Sequence, residues 1–189
     1  IAAMLLASRN LVEGVNWVKT IKDEPEIASL VEKGKKQFVG TEIQGKTLGV
    51  IGLGAIGYRV ANAAIGMDME VYGYDPFIPV SCAWNLSRKV KHVSKIEDIF
   101  EKCDYITIHV PLNDNTREII NADAFKRMKQ GVVLLNFARD LLVDEVALKA
   151  AIESGKVRKY VTDFPNPKVA MLDGVLAIPH LGASTEESE

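Results

Sequence analysis

The chain has 189 residues, of which 48% are hydrophobic and 25% charged, with a formal net charge of −2. That length supports one substantial core, and the near-neutral balance gives no basis for a nucleic-acid or membrane-surface partner. No apolar run approaches the roughly 18 residues that span a bilayer. Cys82 and Cys103 are too few and too isolated for a disulfide framework or a zinc site, so no metal is expected. A reducing, cytoplasmic setting is the simplest expectation.

Residues 1–40 read as a helical lead-in. The chain opens inside an apolar helix (Ile1 to Arg9), and a second helical segment around Trp17 to Val31 is interrupted by Pro25 and Gly34. The lysine-rich run Glu32 to Lys36 follows as a solvated turn. From Thr47 onward strands and helices alternate. Strands are expected at 47–51, 69–74, 104–109, 132–137, 158–163 and 175–178, with helices at 56–66, 94–102, 121–129 and 143–154. Ser94 and Glu97 have the spacing of a capping box, and Asp144 is placed to cap the helix that follows it. Segment 76–93, with Pro76, Pro79, Arg88 and Lys91, reads as an irregular surface excursion in which His92 is simply solvated.

Val- and Ile-rich strands alternating with helices predict an α/β domain over 41–189. The fold expected is a Rossmann-type doubly wound parallel sheet with helices on both faces and right-handed crossovers. At the far end, Ser184 and Glu187 again have capping-box spacing, the sign of a helix beginning. With a helix already under way at Ile1, both ends are expected to cut through helices. The chain is therefore expected to be a domain from a longer protein.

The stretch Thr47 to Gly57 carries the most chemical information. An apolar strand leads into Gly52, Gly54 and Gly57, a G-x-G-x-x-G spacing, with Ala55 and Ile56 in the turn and helix-forming residues after it. In a dinucleotide site the first glycine permits the tight turn, the second lets a pyrophosphate approach, and the third lets helix and strand pack closely. The phosphate charge then rests on the unpaired amides of the helix N-terminus. Three glycines alone also describe an ordinary turn. Here a second strand follows and ends at Asp75, 18 residues past Gly57, where an acid suits the adenosine ribose. A carboxylate there would repel a 2′-phosphate, and no basic residue follows directly, so NAD is expected over NADP.

Ligands of doubly wound sheets sit beyond the carboxyl ends of the strands. Asp75, His109, Asn136 to Arg139, Asp163 and the run from Pro179 to Ser184 all fall there. One arginine, two imidazoles and two acids are thus expected on a single edge. His109 fits a cofactor wall better than a base. Ser184 fits a helix cap better than a nucleophile, because no G-x-S-x-G elbow surrounds it.

Four runs together resemble the D-isomer-specific 2-hydroxyacid dehydrogenases: Gly45 to Gly57, His109 to Leu112 with Thr116, Asn136 to Arg139, and Pro179 to Thr185. The last run is most like the phosphoglycerate dehydrogenase branch of that family. The resemblance covers nearly all of the chain from residue 41, in the family's order. It implies a nucleotide-binding domain set between two parts of a substrate lobe that this chain lacks. It also implies NAD-linked oxidation of D-3-phosphoglycerate to 3-phosphohydroxypyruvate, the first step of serine biosynthesis.

In that scheme Arg139 holds the substrate carboxylate and His180 takes the hydroxyl proton. Asp163 contacts the nicotinamide end. His109, Val110, Pro111, Thr116, Asn136, Phe137, Ala138, Gly182 and Ala183 line the cofactor. The full-length protein is expected to be a homo-oligomer acting on a small 2-hydroxy acid.

Two positions depart from the family pattern. Asp140 follows Arg139 where the family has glycine. Lys168 stands five residues past Asp163, where the family has the glutamate that pairs with the catalytic histidine. A loop shift that brings in Asp173, a slower enzyme with an unsupported His180, or an NAD-sensing module without catalysis are the readings this leaves. Another D-2-hydroxyacid dehydrogenase, acting on glycerate or glyoxylate, is the alternative substrate reading.

Overall fold

The computed structural model describes residues 1–187. Its centre is a seven-stranded, wholly parallel sheet in the order β3-β2-β1-β4-β5-β6-β7. The strands are β1 (Thr47–Ile51), β2 (Glu70–Tyr74), β3 (Lys91–His92), β4 (Tyr105–Ile108), β5 (Val132–Asn136), β6 (Val157–Thr162) and β7 (Val175–Ala177). The strand order reverses between β1 and β4, which creates a crevice at their carboxyl ends.

Side chains alternate between the two sheet faces, as a two-residue period requires. Leu48, Val50, Val71, Tyr105, Val133, Leu135 and Val161 face one core. That core is closed by α1 (Ala2–Arg9) and α4 (Gly57–Gly66) through Ala3, Met4, Ala7, Ala61 and Ala64. Ile51, Ile106, Ile108, Val132, Leu134 and Tyr160 face the other. There α6 (Ile96–Lys102), α7 (Ala122–Arg127) and α8 (Glu145–Glu153) supply Ile99, Phe100, Phe125 and Leu148. A sheet buried on both faces is what near-continuous apolar strands require.

Residues 1–40 form α1, α2 (Leu11–Thr20), α3 (Ile27–Gly34) and a 3₁₀ turn at Lys35–Phe38. The break at 21–26 contains Pro25, and α3 ends at Gly34. Far from standing apart, α1 packs into the sheet's own core, and Arg158 Nη1 of β6 donates to the Ala7 carbonyl at 3.2 Å.

Two expectations are corrected, and a third lies partly outside the described residues. The excursion at 76–93 is not irregular throughout, because it holds α5 (Val80–Asn85) and the edge strand β3. The helix after Ser94 starts at Ile96 with Lys95 as its cap residue and no capping side chain. Ser94 lies one residue too early for its hydroxyl to serve. Residues 186 and 187 form a turn, and the helix expected from Ser184 would run into 188 and 189, outside the described residues. Asp144, by contrast, caps α8 as expected, accepting from the Val146 and Ala147 amides.

Candidate functional site

The strand register builds the site. Ile51, Tyr74, Ile108 and Asn136 stand side by side with Thr162 and Ala177 in one row across the sheet. The next residue of each strand therefore lies along one edge: Gly52, Asp75, His109, Phe137, Asp163 and Ile178. Four chemically informative positions far apart in sequence meet there because six strands end in register.

Gly52 turns the chain from β1 into α4 with φ +91°, and a Cβ on it would sit 2.6 Å from the His109 carbonyl oxygen. A Cβ on Gly57 would sit 1.9 Å from the Gly52 oxygen. Both positions exclude any side chain. Gly54 faces open space, where a methyl on its Cα would meet nothing within 4 Å, so an anion has room against its backbone. Ala55 and Ile56 are exposed beside it, at the positive N-terminal end of α4.

The Asp75 carboxylate ties two segments together. One oxygen accepts from the Leu53 amide of the glycine turn and the other from the Phe77 amide, each at 2.8 Å. Each oxygen keeps a second lone pair for a ribose hydroxyl. Leu53 was not legible as part of this site, since its role lies in its backbone.

Between Ile56, His109 to Leu112 and Phe137 to Arg139 opens a cleft of about 340 Å³. An apolar cavity of about 270 Å³ adjoins it, shares Ile56, His109 and Phe137, and reaches Met4 of α1. His109 forms the wall between them. Its ring bonds Thr107 Oγ1 at 2.9 Å, and burial pushes its pKa down to about 4. A neutral imidazole suits a wall and not a working base. Thr116 is turned inward on its own loop, donating to the Pro111 carbonyl at 2.6 Å and accepting from the Asn113 amide.

Asn136 is fully buried, and its side chain braces the loop that carries Arg139. Its amide donates to the Arg139 carbonyl and to the Tyr160 hydroxyl, while its oxygen accepts from the Ala138 amide. Arg139 is exposed, donates to the Ala138 carbonyl and lies over the Phe164 ring at 5.4 Å. Asp140 does not neutralise it. Among the described residues they form no ion pair, and Asp140 accepts from the Leu141 amide instead.

His180 is 58% exposed at its side chain, with Nδ1 3.8 Å from Asp163 Oδ2. That separation allows charge pairing and is too long for a hydrogen bond. Asp163 itself is buried, and its Oδ1 has no hydrogen-bond partner. A buried carboxylate oxygen left unpaired is costly unless a ligand donor completes it. Gly182 and Ala183 lie in an exposed turn beyond His180.

Lys168 is not drawn towards His180. Its ammonium lies 2.8 Å from Glu145 Oε2 in the first turn of α8, and that carboxylate holds the lysine above its ordinary pKa. Asp173 is exposed in the loop before β7. Asp163 is the acid that the described residues place beside His180.

The open backbone at Gly54, the acid closing β2 and the orphaned Asp163 oxygen together fit a dinucleotide with an amide-bearing head. Among the described residues no cluster of His, Cys, Asp and Glu is arranged to hold a metal, and no helix is long and apolar enough to cross a membrane.

Comparison with known proteins points the same way. The family model described as "D-isomer specific 2-hydroxyacid dehydrogenase, NAD binding domain" matches residues 1–182. A D-3-phosphoglycerate dehydrogenase of Methanocaldococcus jannaschii is 38% identical, covering 98% of this chain and 34% of its own length. A hydroxypyruvate reductase of Thermotoga maritima is 40% identical over 82% of this chain and 52% of its own. Among solved structures, the D-lactate dehydrogenase from Aquifex aeolicus complexed with NAD and lactic acid superposes with a TM-score of 0.79 at 26% identity. That match covers 99% of this chain and 59% of that one. The chain thus spans about a third of the length of the phosphoglycerate dehydrogenases it resembles.

Proposed function

The chain belongs to the D-isomer specific 2-hydroxyacid dehydrogenases as their NAD binding domain, and on that premise we propose that the full-length protein oxidises D-3-phosphoglycerate to 3-phosphohydroxypyruvate. NAD, when bound, supplies the hydride acceptor. Gly52 to Gly57 and Asp75 hold its pyrophosphate and ribose, and Asp163 takes the amide end. The meeting of Arg139, Asp163 and His180 at the ends of β5, β6 and β7 carries the reading.

Arg139 offers a planar fork of donors to the substrate carboxylate. With Asp163 beside Nδ1, the ring proton of neutral His180 is favoured on that nitrogen, and Nε2 is left to accept the hydroxyl proton. Substrate identity rests on the names of relatives, which include phosphoglycerate dehydrogenases and a hydroxypyruvate reductase. The second supports glycerate as the alternative substrate. Assembly as a homo-oligomer and a cytoplasmic setting belong to the same proposal.

The test is NADH formation by the full-length protein with D-3-phosphoglycerate beside D-glycerate. Turnover of phosphoglycerate is expected. Turnover of glycerate alone would keep the chemistry and change the substrate. NADH binding without turnover of any 2-hydroxy acid would favour a cofactor sensor.

A further inference from the structure

Resting on the dehydrogenase reading, we propose that Phe164 is the positioning residue of this site, one ring that holds both Arg139 and His180. Phe164 directly follows Asp163 at the end of β6, and its amide donates to Thr162 Oγ1 at 3.1 Å, which fixes the turn. The His180 ring stands almost perpendicular to the Phe164 ring, at 89°, with centroids 4.7 Å apart. The Arg139 guanidinium lies over the same ring at 5.4 Å.

Such support matters because the other restraints are few. His180 is more than half exposed, and its separation from Asp163 is too long for a hydrogen bond. Arg139 is exposed and lacks an ion-pair partner among the described residues. Lys168, at the position expected to orient the imidazole, is engaged with Glu145. Perpendicular aromatic packing fixes a ring plane, and a cation is attracted to a ring face. A neutral ring also supports two groups that both bear positive charge once the proton has reached His180, without adding a charge of its own. Phe164 touches both without sharing their chemistry, so its effect belongs in kcat through His180 and in substrate KM through Arg139, and not in cofactor affinity.

The experiment uses the full-length protein and follows 2-oxo acid reduction together with NADH affinity by fluorescence. Phe164→Leu is expected to lower kcat by about 10- to 100-fold, the scale of a small misplacement of reacting groups. NADH affinity should stay within about two-fold, as for a side chain that does not touch the cofactor. Phe164→Tyr, which keeps the ring, should restore kcat. An unchanged kcat in Phe164→Leu would overturn the proposal. A joint loss of NADH binding and turnover that Phe164→Tyr does not repair would overturn it too, assigning the ring to folding. Wild-type protein that binds NADH but reduces no 2-oxo acid would remove the dehydrogenase reading itself, an outcome distinct from the other two.

Discussion

Lys168 shows how a single side chain can mislead when only its place in the sequence is known. An ammonium at the position of the histidine's carboxylate partner would oppose a charged imidazole. The structure instead pairs it with Glu145 on α8 and leaves it 81% exposed at its side chain. Replacing Lys168 with alanine is therefore expected to leave turnover within about a factor of two, the scale of an exposed substitution. A change of ten-fold or a displaced pH profile in steady-state kinetics would place the lysine at the reacting centre.

His109 makes a second prediction at this scale. Burial lowers its pKa to about 4 in the folded chain, against an ordinary value of about 6.5. Between those values the unfolded chain binds a proton that the folded chain refuses. The stabilisation is therefore complete above pH ~6.5 and is lost as pH falls towards 4, by up to about 3 kcal/mol. Denaturant melts of wild type and His109→Gln should diverge over that window, with the shallower slope in the variant. Parallel slopes would show that the ring is not held neutral.

At the scale of elements, the glycine turn, β1 and α4 were legible because local steric needs leave marks. Only glycine fits at Gly52 and Gly57, and apolar strands announce a sheet buried on both sides. Strand β3 left no such mark. It is two polar, exposed residues, Lys91 and His92, paired through backbone to Tyr72 and Gly73. Edge strands made by hydrogen bonding alone carry no hydrophobic period to read. Asp144 was legible because a cap depends on local spacing. Asp144→Ala should cost about 1 kcal/mol, seen as a fall in Tm of roughly 2–4 °C for a domain of this size. An unchanged Tm would mean that the α8 amides find another acceptor.

Across the whole molecule, six strands ending in one row turn scattered residues into a site. Which residues would reach that row followed from the alternating pattern of strands and helices. Which side chains would then touch did not. The contacts of Phe164 with Arg139 and His180 join three strand ends, and the choice of Glu145 by Lys168 spans 23 residues. Contacts of that kind depend on loop paths and rotamers, which no spacing encodes. The lead-in is bound into the same body, since Lys159 of β6 pairs with Glu13 of α2 at 2.7 Å. The 189-residue chain should accordingly bind cofactor by itself.

The most direct test of the cofactor site is a fluorescence titration of the chain with NADH and with NADPH, repeated for Asp75→Ala. The geometry predicts NADH binding, weaker NADPH binding because Asp75 repels the 2′-phosphate, and a loss of that preference in Asp75→Ala. Equal affinity for the two cofactors in the wild type, or binding of neither, would contradict the assignment of this edge as an NAD site.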